Sequence, residues 1–299
     1  MAQRKIELAK PRDFGEVIND TFLFVRQNFK PLMKYFFTFC GFFVLATVAI
    51  SVLTQLKMIT ALDNFDSTSF NEGDVTSRFS YLNLGFFVNM FFLFLEYSAI
   101  YVTVLCYMTL YKIKQNVAPT TDEMWGYFKF YFLKTTGSFF ILFILTMLGT
   151  ALCIIPGIYL GVVFTLVAPI MIVENASFGY AFNQCFRLIK DNWWVTFGAL
   201  VVIGIILYVI RIIVVVPGII ISYASLAAPG SRHSVLQLVI TILTTVFAQL
   251  AHIFQILVVI ATGLCYFNLS ESKDGLSLME RINQFGSAQP DTNITPEEY

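Results

Sequence analysis

Asn89, Glu96 and Thr103 recur every seven residues inside an otherwise apolar run. Seven residues are close to two helical turns, so the three side chains share one stripe of a helix. A carboxylic acid in that setting has two readings. One is a proton- or ion-coupled site. The other is a protonated or hydrogen-bonded residue that ties helices together. A second polar stripe holds Thr241, Thr245, His252 and Gln255. An imidazole titrates near neutrality, which suits the first reading, while a satisfied packing histidine suits the second. Arg211 is the only charge in the apolar run from Trp193 to Pro217. At ~1.5 Å per residue, Glu96 lies about 16 Å along its helix from Tyr107, near the midplane, and Arg211 about 25 Å from Trp194. That count puts Arg211 near the outer boundary, where snorkelling is expected, roughly 10 Å of depth from Glu96.

No other pattern carries chemistry. There is no nucleophile–base arrangement, HExxH, Walker loop, GxGxxG or pair of intramembrane Asp residues. An enzyme is therefore not expected. The five cysteines, Cys40, Cys106, Cys153, Cys185 and Cys265, form no CxxC and read as small buried side chains, so neither metal nor cofactor is expected. A formal net charge of zero argues against a nucleic-acid partner.

The elements that hold these residues follow from composition. Of the 299 residues, 57% are hydrophobic and 13% are charged; soluble chains carry about 25% charge. A spanning helix needs about 20 mostly apolar residues. Five runs qualify: Tyr35–Leu56, Phe79–Tyr111, Thr135–Val173, Trp193–Pro217 and Ser234–Phe267. Pro156-Gly157 splits the third into two, giving six spans in an all-α polytopic bundle. The first apolar run starts too late and runs too long for a signal peptide. Lys and Arg number fifteen in residues 1–34, 112–134, 174–192 and from 268 onward, against Lys57, Arg78 and Arg232 on the other side. By the positive-inside rule both termini are cytoplasmic, and the span 57–78 is an outer loop. The acidic tail, 274–299, reads as mostly disordered, with a short helix around Leu278–Phe285.

The chain repeats itself. DFGEVINDTFLFVRQNFK (13–30) and SFGYAFNQCFRLIKDNWW (177–194) share a Phe-Gly opening and the same helical stripe. The stripe is Phe14, Val17, Ile18, Thr21, Phe22, Val25 and Phe29 in the first copy. In the second it is Phe178, Ala181, Phe182, Cys185, Phe186, Ile189 and Trp193. Asp13 and Ser177 are N-caps, and Glu16 completes a capping box. Each helix should lie at the cytoplasmic interface and anchor there through Phe14, Phe22, Phe178, Phe186, Trp193 and Trp194. LCYMTLYKIK (105–114) matches LCYFNLSESK (264–273) at an offset of 159, which sets Glu96 opposite Gln255. Thr120 and Glu123 start a third such helix. CIIPGI (153–158) and VVVPGI (214–219) mark matching outer turns. The chain thus reads as one membrane domain, 1–267, of three parallel units at about 13–114, 119–174 and 177–273.

Pro156-Gly157-Ile158-Tyr159, Pro169, Glu174–Ala176 and the stretch ending Asn192-Trp193-Trp194 resemble the signature of a bacterial integral membrane family. That family is named for the membrane domain of glycerophosphoryl diester phosphodiesterases. The resemblance covers residues 14–267 and implies the membrane fold only. Catalysis in the enzymes of that family sits in a separate soluble barrel, for which this chain has no residues. Two functions follow as expectations. One is a non-enzymatic scaffold of the cell inner membrane that binds lipids or other membrane proteins. The other is a small-solute or ion-coupled transporter or channel that uses Glu96. A water-accessible cavity at Glu96 favours the second, and a dry, packed Glu96 favours the first.

Overall fold

The computed structural model describes residues 6–67, 72–227 and 235–275, and every regular element among them is helical. The order is α1 (Phe14–Tyr35), a π-helical turn (Phe36–Cys40), α2 (Gly41–Ser67), α3 (Glu72–Ile113) and α4 (Thr121–Leu152). Then come α5 (Ile154–Phe164), α6 (Val167–Val173), α7 (Phe178–Ile189) and α8 (Trp193–Ala227). The chain ends in α9 (Val235–Leu250), a 3₁₀ turn (Ala251–Phe254) and α10 (Gln255–Asp274). Six segments are long and apolar enough to cross a membrane: 14–57, 84–113, 121–152, 154–173, 193–221 and 239–273. The protein is an all-α polytopic bundle, as its composition implies.

Local chemistry sets the helix starts. Thr120 and Glu123 form a full capping box, with Thr120 N–H donating to Glu123 Oε2 at 2.7 Å. Ser177 caps α7 by accepting from Tyr180 N–H. Asp13 opens α1, and its own N–H donates to Glu16 Oε2. α1 is kinked at Asn28, three residues before Pro31, where the proline ring removes a helical donor. Its protein-facing side is Val17, Asp20, Thr21, Phe24, Asn28, Leu32 and Tyr35. Phe14, Phe22 and Phe29 stay exposed. The expected stripe is therefore two faces: Val17 and Thr21 turn inward, while the three phenylalanines face outward.

Three helical hairpins and one parallel contact build the core. α2 and α3 run antiparallel, bonded from Cys40–Thr103 to Ser51–Asn89. α4 folds back on α5, where Gly157 meets Thr150 so closely that a Cβ would lie 2.2 Å from its hydroxyl. α8 folds back on α9, with Gly218 against Thr244. α3 and α10 run parallel: Gly263 sits against Met108 and Leu105, and Lys112 lies over the Phe267 ring. The two LCY segments are thus neighbours in space.

Several expectations need correction. No separate interfacial helix precedes the third span; residues 121–152 form one helix. The described parts of the expected outer loop 57–78 are helical extensions of α2 and α3. Pro217 lies inside α8, so VVVPGI is not a turn; its glycine serves close packing on Thr244 instead. The tail beyond residue 275 and the helix expected around 278–285 lie outside the described residues. The largest correction concerns depth. Tyr159 stacks on Trp193 at 5.8 Å, and Ile155, Ile158 and Tyr159 share a cleft of about 400 Å³ with Lys190, Asp191 and both tryptophans. Asp191 is itself paired with Lys273 at the end of α10. A turn expected outside and a Trp pair expected inside are neighbours, so the two assignments cannot both hold. At ~1.5 Å per residue the 32-residue α4 is about 48 Å long, more than the ~30 Å hydrocarbon core.

Candidate functional site: a polar seam and a side cavity

The stripe of Asn89, Glu96 and Thr103 forms a polar seam, and α2 supplies its partners. Asn89 Nδ2 donates to Ser51 Oγ at 2.6 Å, and Gln249 of α9 donates to the same oxygen at 3.0 Å. Thr47 Oγ1 donates to Glu96 Oε2 at 2.6 Å. Cys40 Sγ lies 3.5 Å from Thr103 Oγ1. Below them Tyr107 donates to Asn28 Oδ1 at 2.8 Å, just where α1 is kinked. The α2 partners escaped the sequence reading, although a signal existed. Cys40, Thr47 and Thr54 repeat at seven within a run that is otherwise almost wholly apolar.

Glu96 is completely buried. Its second oxygen meets His252 Nδ1 at 2.8 Å. Both carboxylate oxygens are therefore engaged, as burial in a low-dielectric interior requires. The sequence offers Gln255 or another helix as the packing partner of Glu96. The observed partner is His252, three residues before Gln255, and it sits in the 3₁₀ turn between α9 and α10. The ring of His252 also rests on Tyr97, with centroids 5.2 Å apart.

Beyond His252 the bundle opens. Tyr97, Gly204, Leu207, Tyr208, Arg211, Ala251, His252, Phe254, Gln255 and Val258 line a cavity of about 270 Å³ between α3, α8 and the continuous span that α9 and α10 form through the 3₁₀ turn. Arg211 was expected near the outer boundary. It lines one cavity with His252, the partner of Glu96, and α8 continues sixteen residues beyond it. Gln255 joins Arg211 in the cavity wall rather than meeting Glu96. The candidates therefore divide into two groups. Asn89, Glu96, Thr103 and one face of His252 belong to the seam, which is sealed at Glu96 and Thr103 and half-buried at Asn89, while Arg211, Gln255 and the other face of His252 belong to the cavity.

The aromatic anchors divide as well. Phe14, Phe22 and Trp194 are exposed, Trp194 to 76%. Phe178 and Phe186 pack instead in a ring cluster with Phe164 and Phe182. One further contact had no sequence signal. Arg12 is buried, its Nε 2.8 Å from Asp20 Oδ2, and its backbone N–H donates to Asn268 Oδ1, which ties the segment before α1 to the end of α10.

Fold and seam together define a multi-pass helical membrane protein with a buried carboxylate–imidazole pair. No protein-family model matches the chain, and no curated protein or solved structure matches it. No group of His, Cys, Asp and Glu among the described residues could hold a metal ion.

Proposed function

We propose that this protein is a non-enzymatic scaffold of the cell inner membrane, with both termini cytoplasmic, that binds lipids or other membrane proteins. The observation that carries this reading is the state of Glu96: fully buried, with both oxygens bonded inside the bundle. Its polarity is spent on joining α2, α3 and the 3₁₀ turn between α9 and α10. The outward aromatics Phe22, Phe29, Trp125 and Trp194 supply surface for lipid or protein contact. The adjacent LCY segments support reading the chain as a duplicated unit. The likeness to the membrane domain of the phosphodiesterase family fits that layout and brings no catalysis with it.

The test is reconstitution into liposomes that enclose a pH-sensitive dye. A scaffold leaves an imposed proton gradient intact, and Glu96→Gln complements a deletion strain as well as the parent does. Proton or solute movement that disappears in Glu96→Gln would discard the scaffold. It would establish the second reading, a small-solute or ion-coupled transporter, which the cavity against His252 favours.

A further inference from the structure

Arg211 poses a problem that the scaffold reading does not solve. It sits midway along α8, on a helix whose flanks are exposed isoleucine, valine and tyrosine. No ion pair or hydrogen bond joins it to any described residue. A lone guanidinium in an apolar region is expensive and demands an anionic or hydrogen-bonding partner. Snorkelling would have answered this near a boundary. Ten further residues of the apolar span, about 15 Å of helix, lie between Arg211 and its end at 221, farther than the side chain reaches.

The cavity beside it is built to receive such a partner. Gln255 faces the same space, and its side-chain amide makes no bond within the described chain. His252 gives Nδ1 to Glu96, which leaves Nε2 as the ring nitrogen without a partner. Arg211 and His252 are the only residues of the lining able to carry positive charge, and no acid lines it. The remaining wall is apolar or aromatic. Tyr208 of α8 and Phe254 of the 3₁₀ turn are 66% and 37% exposed, so part of the cavity wall lies on the outward surface of the bundle. At Gly204 an added Cβ would touch nothing, which leaves room for a chain to pass.

We propose that this cavity binds the acidic head of a single-chain membrane amphiphile. A carboxylate sits against Arg211, with Gln255 and His252 Nε2 as further hydrogen-bond partners, and its tail lies along the outward face of α8. Arg is suited to this because its fork donates two parallel bonds to a carboxylate. The seam then has a second use, since Glu96 orients the ring that faces the ligand. This inference is independent of the scaffold reading, and its failure leaves that reading untouched.

The experiment uses the full chain in nanodiscs of phosphatidylcholine, with palmitate as probe and binding followed by native mass spectrometry. The expected result is saturable binding of one palmitate per chain that hexadecanol and acetate fail to displace. Arg211→Gln should weaken it at least about ten-fold. Gly204→Leu should abolish it by filling the cavity without touching a polar group. The hexadecanol arm uses the unaltered protein, so it decides the matter even if a variant misfolds. Equal displacement by hexadecanol, displacement by acetate, or unchanged binding in a folded Arg211→Gln would overturn the proposal. So would a dimer that Arg211→Gln converts to monomer, because a second copy would then be what covers the charge.

Discussion

The two sides of His252 face opposite conditions. On one side Glu96 is sealed among α2, α3 and the 3₁₀ turn, and every polar atom of the carboxylate has a partner. On the other side Arg211 and Gln255 face open space with no protein partner. The same residue types, a charge and a hydrogen-bonding neighbour, serve packing in one place and remain available in the other. Burial of a polar group in this bundle therefore does not by itself mark a functional site; the unsatisfied group does. The sealed side should govern stability, and the open side should hardly affect it.

The largest expected effect comes from breaking the sealed side. Glu96→Leu leaves His252 and Thr47 facing an apolar group and should destabilise the protein by about 3–5 kcal/mol. Glu96→Gln keeps the shape and can still accept from Thr47, so most of that loss should be spared. Arg211→Leu should be neutral or stabilising, because it removes an unpaired charge. Thermal unfolding in detergent, read by fluorescence-detected gel filtration, ranks the three. If Arg211→Leu destabilises as much as Glu96→Leu, the distinction between the two sides fails.

A smaller effect tests whether the seam is continuous. Asn89→Ala removes one of two bonds to Ser51 Oγ, and Gln249 retains the other. Interhelical hydrogen bonds in membranes average about 0.6 kcal/mol, so a shift of that order is expected in the same assay. A double change with Gln249→Ala should exceed the sum of the single changes, since the Ser51 hydroxyl then loses both donors. Simple additivity would mean that Ser51 does not link the three helices.

The seam was half legible in the sequence. A spacing of seven gave Asn89, Glu96 and Thr103 as one stripe, and the structure puts them on one interface. The partner of Glu96 was not legible, because His252 sits in a local 3₁₀ turn and no periodicity predicts where a helix tightens. The relative depth of Glu96 and Arg211 depends on where each count begins. Measured from Tyr107, Glu96 counts shallower than Arg211. α3 in fact continues to Ile113, from which Glu96 lies about 26 Å away, while Arg211 lies about 27 Å from Trp193, at ~1.5 Å per residue. The six apolar helices were readable because the bilayer sets their length. The contact of Tyr159 with Trp193 was not, since the packing of one span on another is not written in hydropathy.

Thiol chemistry gives the gentlest probe of the sealed and open sides. Cys40, Cys106, Cys185 and Cys265 are buried, and Cys153 alone is exposed. Burial pushes the Cys185 thiol up to about 12, which keeps it from forming the reactive thiolate. A maleimide should therefore modify the native chain at Cys153 only. In a Cys153→Ser background, Tyr208→Cys at the cavity mouth should react with membrane-permeant N-ethylmaleimide. Thr47→Cys in the seam should stay unmodified until the protein is unfolded. Cys153 also decides the inclination of α4, because Ile155 and Tyr159 share a cleft with Lys190 and Asp191. An impermeant maleimide should reach Cys153 from the same face of the membrane as it reaches Lys190→Cys. Labelling from opposite faces would place the hairpin tip across the bilayer and break the contact between Tyr159 and Trp193.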